Sequence, residues 1–186
     1  MILLLALGAG LIVGFGWAKW SGYPYRPPRL NYLWLAILAF LPQFFTIYFE
    51  RTQALAPDWL AALAVVTSQG LLFLFAWLNR NVPGMLVLII GLVLNFTVII
   101  ANGGFMPIKP QTVERIVGKE RIASFELGDR IGYKDILLPQ DKTRLELLAD
   151  RILPPAGFPY QVAFSLGDIF IAIGAFWILA YQKSTS

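Results

Sequence analysis

One carboxylate interrupts the apolar run VAFSLGDIFIAIGAFWIL at residues 162–179, and it belongs to Asp168. An acid at membrane depth costs several kcal/mol unless it reaches water or a protein partner, so it is a functional-site hypothesis by default. A helix starting at Val162 would carry Asp168 about 10 Å along its axis. A second acid, Asp150, lies upstream, across a turn containing Pro154, Pro155 and Pro159. A fold-back there would let the two carboxyls meet and share a proton, one as base on a water and the other as acid. Each has a plainer reading. If the helix starts at Ser165 or Gly167, Asp168 is an interfacial N-terminal acid favoured by the helix dipole. Asp150 closes an expected helix in TRLELLADRI, where the dipole disfavours it and Arg151 or Arg144 could offset the charge.

The composition removes most other chemistry. Cysteine and histidine are both absent. That excludes disulfides, thiolate catalysis, imidazole metal sites and Ser-His or Cys-His dyads, and leaves no metal centre or cofactor to expect. Any acid–base work falls to Asp, Glu, Lys or Tyr. Polar residues inside apolar stretches are few. Asn95 and Gln69 could bond across helices or line a polar pocket with Asp168. Asn102, which opens the turn NGGFMP, and Ser165, beside Asp168, complete the candidate binding residues. No nucleic-acid patch, P-loop or dinucleotide fingerprint is present.

These residues need a scaffold, and 58% hydrophobic with 14% charged residues over 186 positions points to a bilayer. Five apolar stretches approach spanning length: Ile2–Ala18, Leu30–Phe49, Trp59–Leu78, Met85–Ala101 and Val162–Tyr181. Aromatics such as Trp17, Trp20, Tyr32, Trp34 and Trp59 sit at their ends, as an interfacial belt does. The first span lacks the basic n-region of a cleaved signal peptide. Lys19, Arg26, Arg29, Arg80 and Lys183 fall on one side of the expected membrane, and Glu50, Arg51 and Asp58 on the other. The positive-inside rule then puts the N-terminus outside and the C-terminus in the cytoplasm.

The expected architecture is an all-α membrane protein of five transmembrane helices with a small extracytoplasmic cap between helices 4 and 5. It divides into a four-helix region (1–101), the cap (102–161), and a fifth helix with a short tail (162–186). In the cap, PQTVERIVGKE predicts a short amphipathic helix starting near Pro110. ASFELGDRIGY predicts a hairpin at Gly128-Asp129, and TRLELLADRI a helix capped by Thr143 and Glu146. Gly10 and Gly14 form a small-residue face on the first helix, suited to packing within the chain or against another membrane subunit.

Two resemblances bear on function. FSLGDIFIAIGAFWIL resembles the last motif of lipoprotein signal peptidases, which are intramembrane aspartyl peptidases. It implies Asp150 and Asp168 as the catalytic pair, although Ser165 and Gly167 replace that motif's Asn and Ala. GLVLNFTVIIANGGFMPI, LADRILPP and PYQVAFSLGDIFIAIGAFW together resemble an uncharacterised family of small bacterial multi-pass membrane proteins, which implies no activity. Three functions follow as expectations for a chain of the bacterial cytoplasmic membrane. First is a non-catalytic subunit or ligand- or lipid-binding unit of a membrane assembly, whose partners are membrane lipids. An aspartyl-type hydrolase is the alternative, and a small-solute transporter is third.

Overall fold

The apolar runs fold into long helices in the computed structural model, which describes residues 2–48, 57–155, 157–158 and 160–182, side chains of 43–48 excepted. Phe49, Glu50, Arg51, Pro159 and Lys183 lie outside the described residues. The long helices are α1 (Ile2–Ser21), α2 (Leu33–Tyr48), α3 (Asp58–Leu78), α4 (Met85–Ala101) and α7 (Leu166–Ala180). By length and composition, α1 and α3 are each apolar and long enough to cross a membrane, whereas α4 and α7 are shorter apolar helices. Only 17% of the apolar window in α1 and 28% in α3 is buried, so neither is a covered core helix. Ile12, Ile37, Trp59 and Leu86 are among the large apolar side chains left on the outside.

In space the helices follow the order α1, α7, α4, α3, α2. Glycine sets the two closest approaches. Gly10 and Gly14 of α1 lie against Phe176 and Leu179 of α7, so these two helices run parallel. Gly91 of α4 meets Gly167 and Ile171, and Gly174 of α7 meets Leu88, in an antiparallel crossing. A methyl at any of these glycines would collide with the facing helix. Ala76, Met85, Ile89, Leu92 and Ile178 fill the core at one level, and Val65, Val98, Ile99 and Met106 at another. At the end carrying Arg26, Arg29 and Arg80, Asn79 bonds the backbone of Asn31 in both directions, at 2.7 and 2.9 Å.

The opposite end carries the cap, which corrects the all-α expectation. It contains a three-stranded sheet in the order β1 (Met106–Ile108), β3 (Asp135–Leu137), β2 (Arg130–Ile131). Strands β1 and β3 are parallel, and β2 and β3 are antiparallel. The hairpin turns at Gly132–Lys134 rather than Gly128-Asp129, because both of the latter bond to Leu137 beyond the turn. Helix α5 (Pro110–Val117) starts at Pro110 as read, followed by the one-turn α6 (Lys119–Ile122). Its Val113 face covers Ile108, Leu137 and Ala163, so it closes the cap's own core.

TRLELLADRI does not form the expected helix. Leu145 takes a left-handed φ of 55°, and only a 3₁₀ turn, Glu146–Leu148, follows. Glu146 turns to Lys109 and Gln140 instead of capping, and the Thr143 hydroxyl donates to Pro139 O at 2.9 Å. The last helix begins at Leu166, not Val162. Phe164 is extended and exchanges two backbone hydrogen bonds with Ile152, of 2.9 and 3.1 Å. Likewise α2 begins at Leu33, leaving Leu30 in the preceding loop.

Candidate functional site

Asp168 occupies the third position of α7, and its placement is local chemistry. Ser165 caps the helix: its hydroxyl accepts from Asp168 N at 3.0 Å, and Asp168 Oδ2 accepts from Ser165 N at 3.0 Å. This reciprocal box satisfies two amide donors that a helix start otherwise leaves open. Asp168 is therefore an acid of the first helical turn, the helix starting just after Ser165. The neighbouring helix adds to it. From α4, Asn95 donates Nδ2 to Asp168 Oδ1 at 2.8 Å, while its Oδ1 accepts from Ser165 Oγ at 2.7 Å. Asn95 and Ser165 are both buried, and this network bridges two apolar helices.

Asp150 is built from the cap. Its N–H donates to Pro107 O at 3.2 Å, which attaches it beside β1. The side chain is only 1% exposed, and its charge partner is Lys134, at 2.7 Å from Oδ2, not Arg151 or Arg144. Among the described residues Asp150 Oδ1 has no hydrogen-bond partner. Lys134, at the end of the hairpin turn, also lies 3.6 Å from Asp135. No hydrogen bond joins Asp150 to Asp168, and each carboxyl is committed to other groups.

Burial shapes the electrostatics of the cap residues. It pushes the Asp150 carboxyl up to about 7, opposed by Lys134 and reinforced by the charges of Asp135 and Asp168. Burial also raises Asp135, against the pull of Lys134. For Lys134 burial works downward, but Asp135, Asp150 and Asp168 outweigh it and hold the ammonium well above its ordinary value. The Tyr133 phenol is pushed up to about 12, first by burial.

Beneath this cluster lies a cavity of about 660 Å³, to which all five long helices contribute. Its wall is mostly apolar, from Leu5 of α1, Phe40 of α2, Leu72 of α3, Leu88 of α4 and Ile171 of α7. Gln69, Asn95, Tyr133, Lys134 and Asp168 supply its polar lining. The volume is that of a typical small-molecule site, apolar with a few convergent polar groups.

Of the residues singled out from sequence, Asp168, Asn95 and Ser165 meet, and Gln69 shares the cavity wall. Asp150 stands behind Lys134. Asn102 is elsewhere: its side chain pins the backbone of Arg144 through two 2.9 Å hydrogen bonds. Gly10 and Gly14 are covered by the chain's own α7. Sequence reasoning missed Tyr133, Lys134 and Asp135. Their one signal was a charged pair immediately after the expected hairpin segment.

Residues 28–180 match a family of unknown function, DUF5317. An uncharacterised protein of Thermotoga maritima is 34% identical over 116 residues, 61% of each chain. This chain thus spans less than two thirds of the length of that relative. No solved structure matches.

Proposed function

From the premise that the chain belongs to the DUF5317 family, we propose that it is a multi-pass membrane protein that binds an amphipathic ligand, as a non-catalytic unit of a membrane assembly. The cavity carries this reading. It lies between the ends of the helix row, α1 and α2, and is apolar along its helical wall and charged toward the cap. Such a shape suits an acyl or isoprenoid chain entering sideways from the bilayer, its head beside Lys134 and Asp168.

Several features favour five crossings with the N-terminus outside. Large apolar side chains face outward along the long helices, far beyond the patches soluble surfaces tolerate. At 15 residues α7 is about 22 Å long, short of a hydrocarbon core of about 30 Å. The extended Phe164 precedes it with both backbone groups bonded, as non-helical backbone near lipid requires. The Arg-bearing loops meet at the end away from the cap, as the positive-inside rule expects of a cytoplasmic end.

A second reading is an aspartyl hydrolase, favoured by Asp150, whose buried carboxyl is pushed up to about 7 within the field of Asp168. It requires Asp150→Asn and Asp168→Asn each to abolish lipopeptide cleavage. Unchanged cleavage in either removes that residue. The binding reading is tested by native mass spectrometry of the protein extracted from membranes. A retained lipid mass, lost in Ala36→Trp, which fills the cavity from α2, supports it. A chain that carries no lipid in either form contradicts it.

A further inference from the structure

The structure assigns the ligand a positively charged head: we propose that the cavity takes a long-chain amphiphile whose protonated amine sits against Asp168. This rests on the binding reading above and goes on to name its ligand class. Asp168 lines the cavity and is only partly buried, so it is reachable from inside. Both its hydrogen-bond donors are neutral, the Asn95 amide and the Ser165 N–H. Among the described residues no cation lies within 4.0 Å of it, although Asp135 and Asp150 both have Lys134. A carboxylate has about four acceptor sites, and two on Asp168 remain open.

The neighbouring charges point the same way. Among the described residues Lys134 is the one cation on the cavity wall, and it is already drawn to two carboxylates. An anionic head would therefore meet the Asp168 carboxylate and an ammonium already shared by two carboxylates behind it, whereas an amine would complete an acid that has no salt-bridge partner among the described residues. Gln69 adds an acceptor on the same wall: among the described residues its Oε1 is buried without a hydrogen-bond partner. Its level is close to that of Asn95, because Val65 shares a core cluster with Val98 and Leu72 packs against the cluster that holds Leu92. Such heads occur on simple alkylamines and on aminophospholipids, which share the primary amine.

The test is displacement of an anthracene-labelled alkyl probe from the purified, delipidated full chain in uncharged detergent. Competitors are dodecylamine, dodecylphosphoethanolamine, dodecanol and dodecanoate. An amine-bearing chain should displace the probe at least ten-fold more tightly than the alcohol or the carboxylate, and the tighter of the two amines identifies the source. Asp168→Asn should erase that preference. Equal displacement by all four heads overturns the amine inference but leaves the binding reading standing. Failure of every chain, and of the probe, to bind overturns both. The head-group comparison on the unaltered chain decides the matter even if Asp168→Asn does not fold.

Discussion

Asn95 and Asp168 join α4 to α7 through one hydrogen bond of 2.8 Å, and the same Asn95 amide accepts from Ser165. Asn95→Leu leaves the buried Ser165 O–H without its acceptor and one Asp168 oxygen without its donor. Each unmatched buried group costs about 1–3 kcal/mol, and interhelical hydrogen bonds in membranes fall at the low end of such values. The expected loss is about 1–3 kcal/mol, read as a drop in Tm in detergent. Thr97→Val, whose hydroxyl bonds only Val93 O within its own helix, should stay within about 0.5 kcal/mol.

Glycines inside and outside a helix crossing predict opposite outcomes for one substitution. Gly91→Ala and Gly174→Ala force a methyl into the facing backbone and should lose about 1–3 kcal/mol. Gly8→Ala and Gly16→Ala meet nothing within 4 Å and should be neutral or gain about 0.5–1 kcal/mol from helix propensity. Thermal scans of the four variants check this, and uniform loss would mean that α7 does not pack on α1 and α4 as described.

Asp150 gives the fold a pH dependence with a defined sign. Its carboxyl holds a proton to about 7 in the folded chain, against 3.8 for a free side chain. Between those values the folded state binds more protons than the unfolded one, so this contribution to stability falls as pH rises through the window. Asp150→Asn should flatten the Tm profile from pH 4 to 7. Lys134→Met strips the partner from a buried acid and should cost about 3–5 kcal/mol at pH 8, less at pH 5. Adding Asp150→Asn to Lys134→Met should recover part of the loss at pH 8.

The absence of cysteine makes topology directly measurable. Leu147→Cys, in the cap, should react with a membrane-impermeant thiol reagent on intact cells. Arg80→Cys, in the loop between α3 and α4, should react only after permeabilisation. The reverse pattern would invert the chain in the membrane.

Helix positions were legible because apolar runs and caps are local signals. Pro110 at the first turn of α5 and the Ser165–Asp168 box each follow from residues within three positions of one another. The pairing of Asn95 with Asp168 was half legible, since an amide mid-helix seeks a partner but does not say which. The cap defeated the reading for a different reason. Parallel pairing of β1 with β3 joins Met106 to Asp135 across α5, α6 and the hairpin, and no local pattern encodes that contact. It is this pairing that delivers Lys134 to Asp150 and diverts TRLELLADRI from a helix. Periodicity over-read that segment because it could not register the pull of Pro107 on the Asp150 amide.

The cavity is tested most directly by a lipid carrying a photoreactive group on its acyl chain, activated in native membranes and mapped by peptide sequencing. Labelling should concentrate on the inner wall, at Phe40, Leu72, Leu88 and Ile171, and should vanish there in Ala36→Trp. Labelling confined to outward residues such as Ile12, Ile37 and Leu86, with the inner wall unmarked, would contradict a lipid-binding cavity.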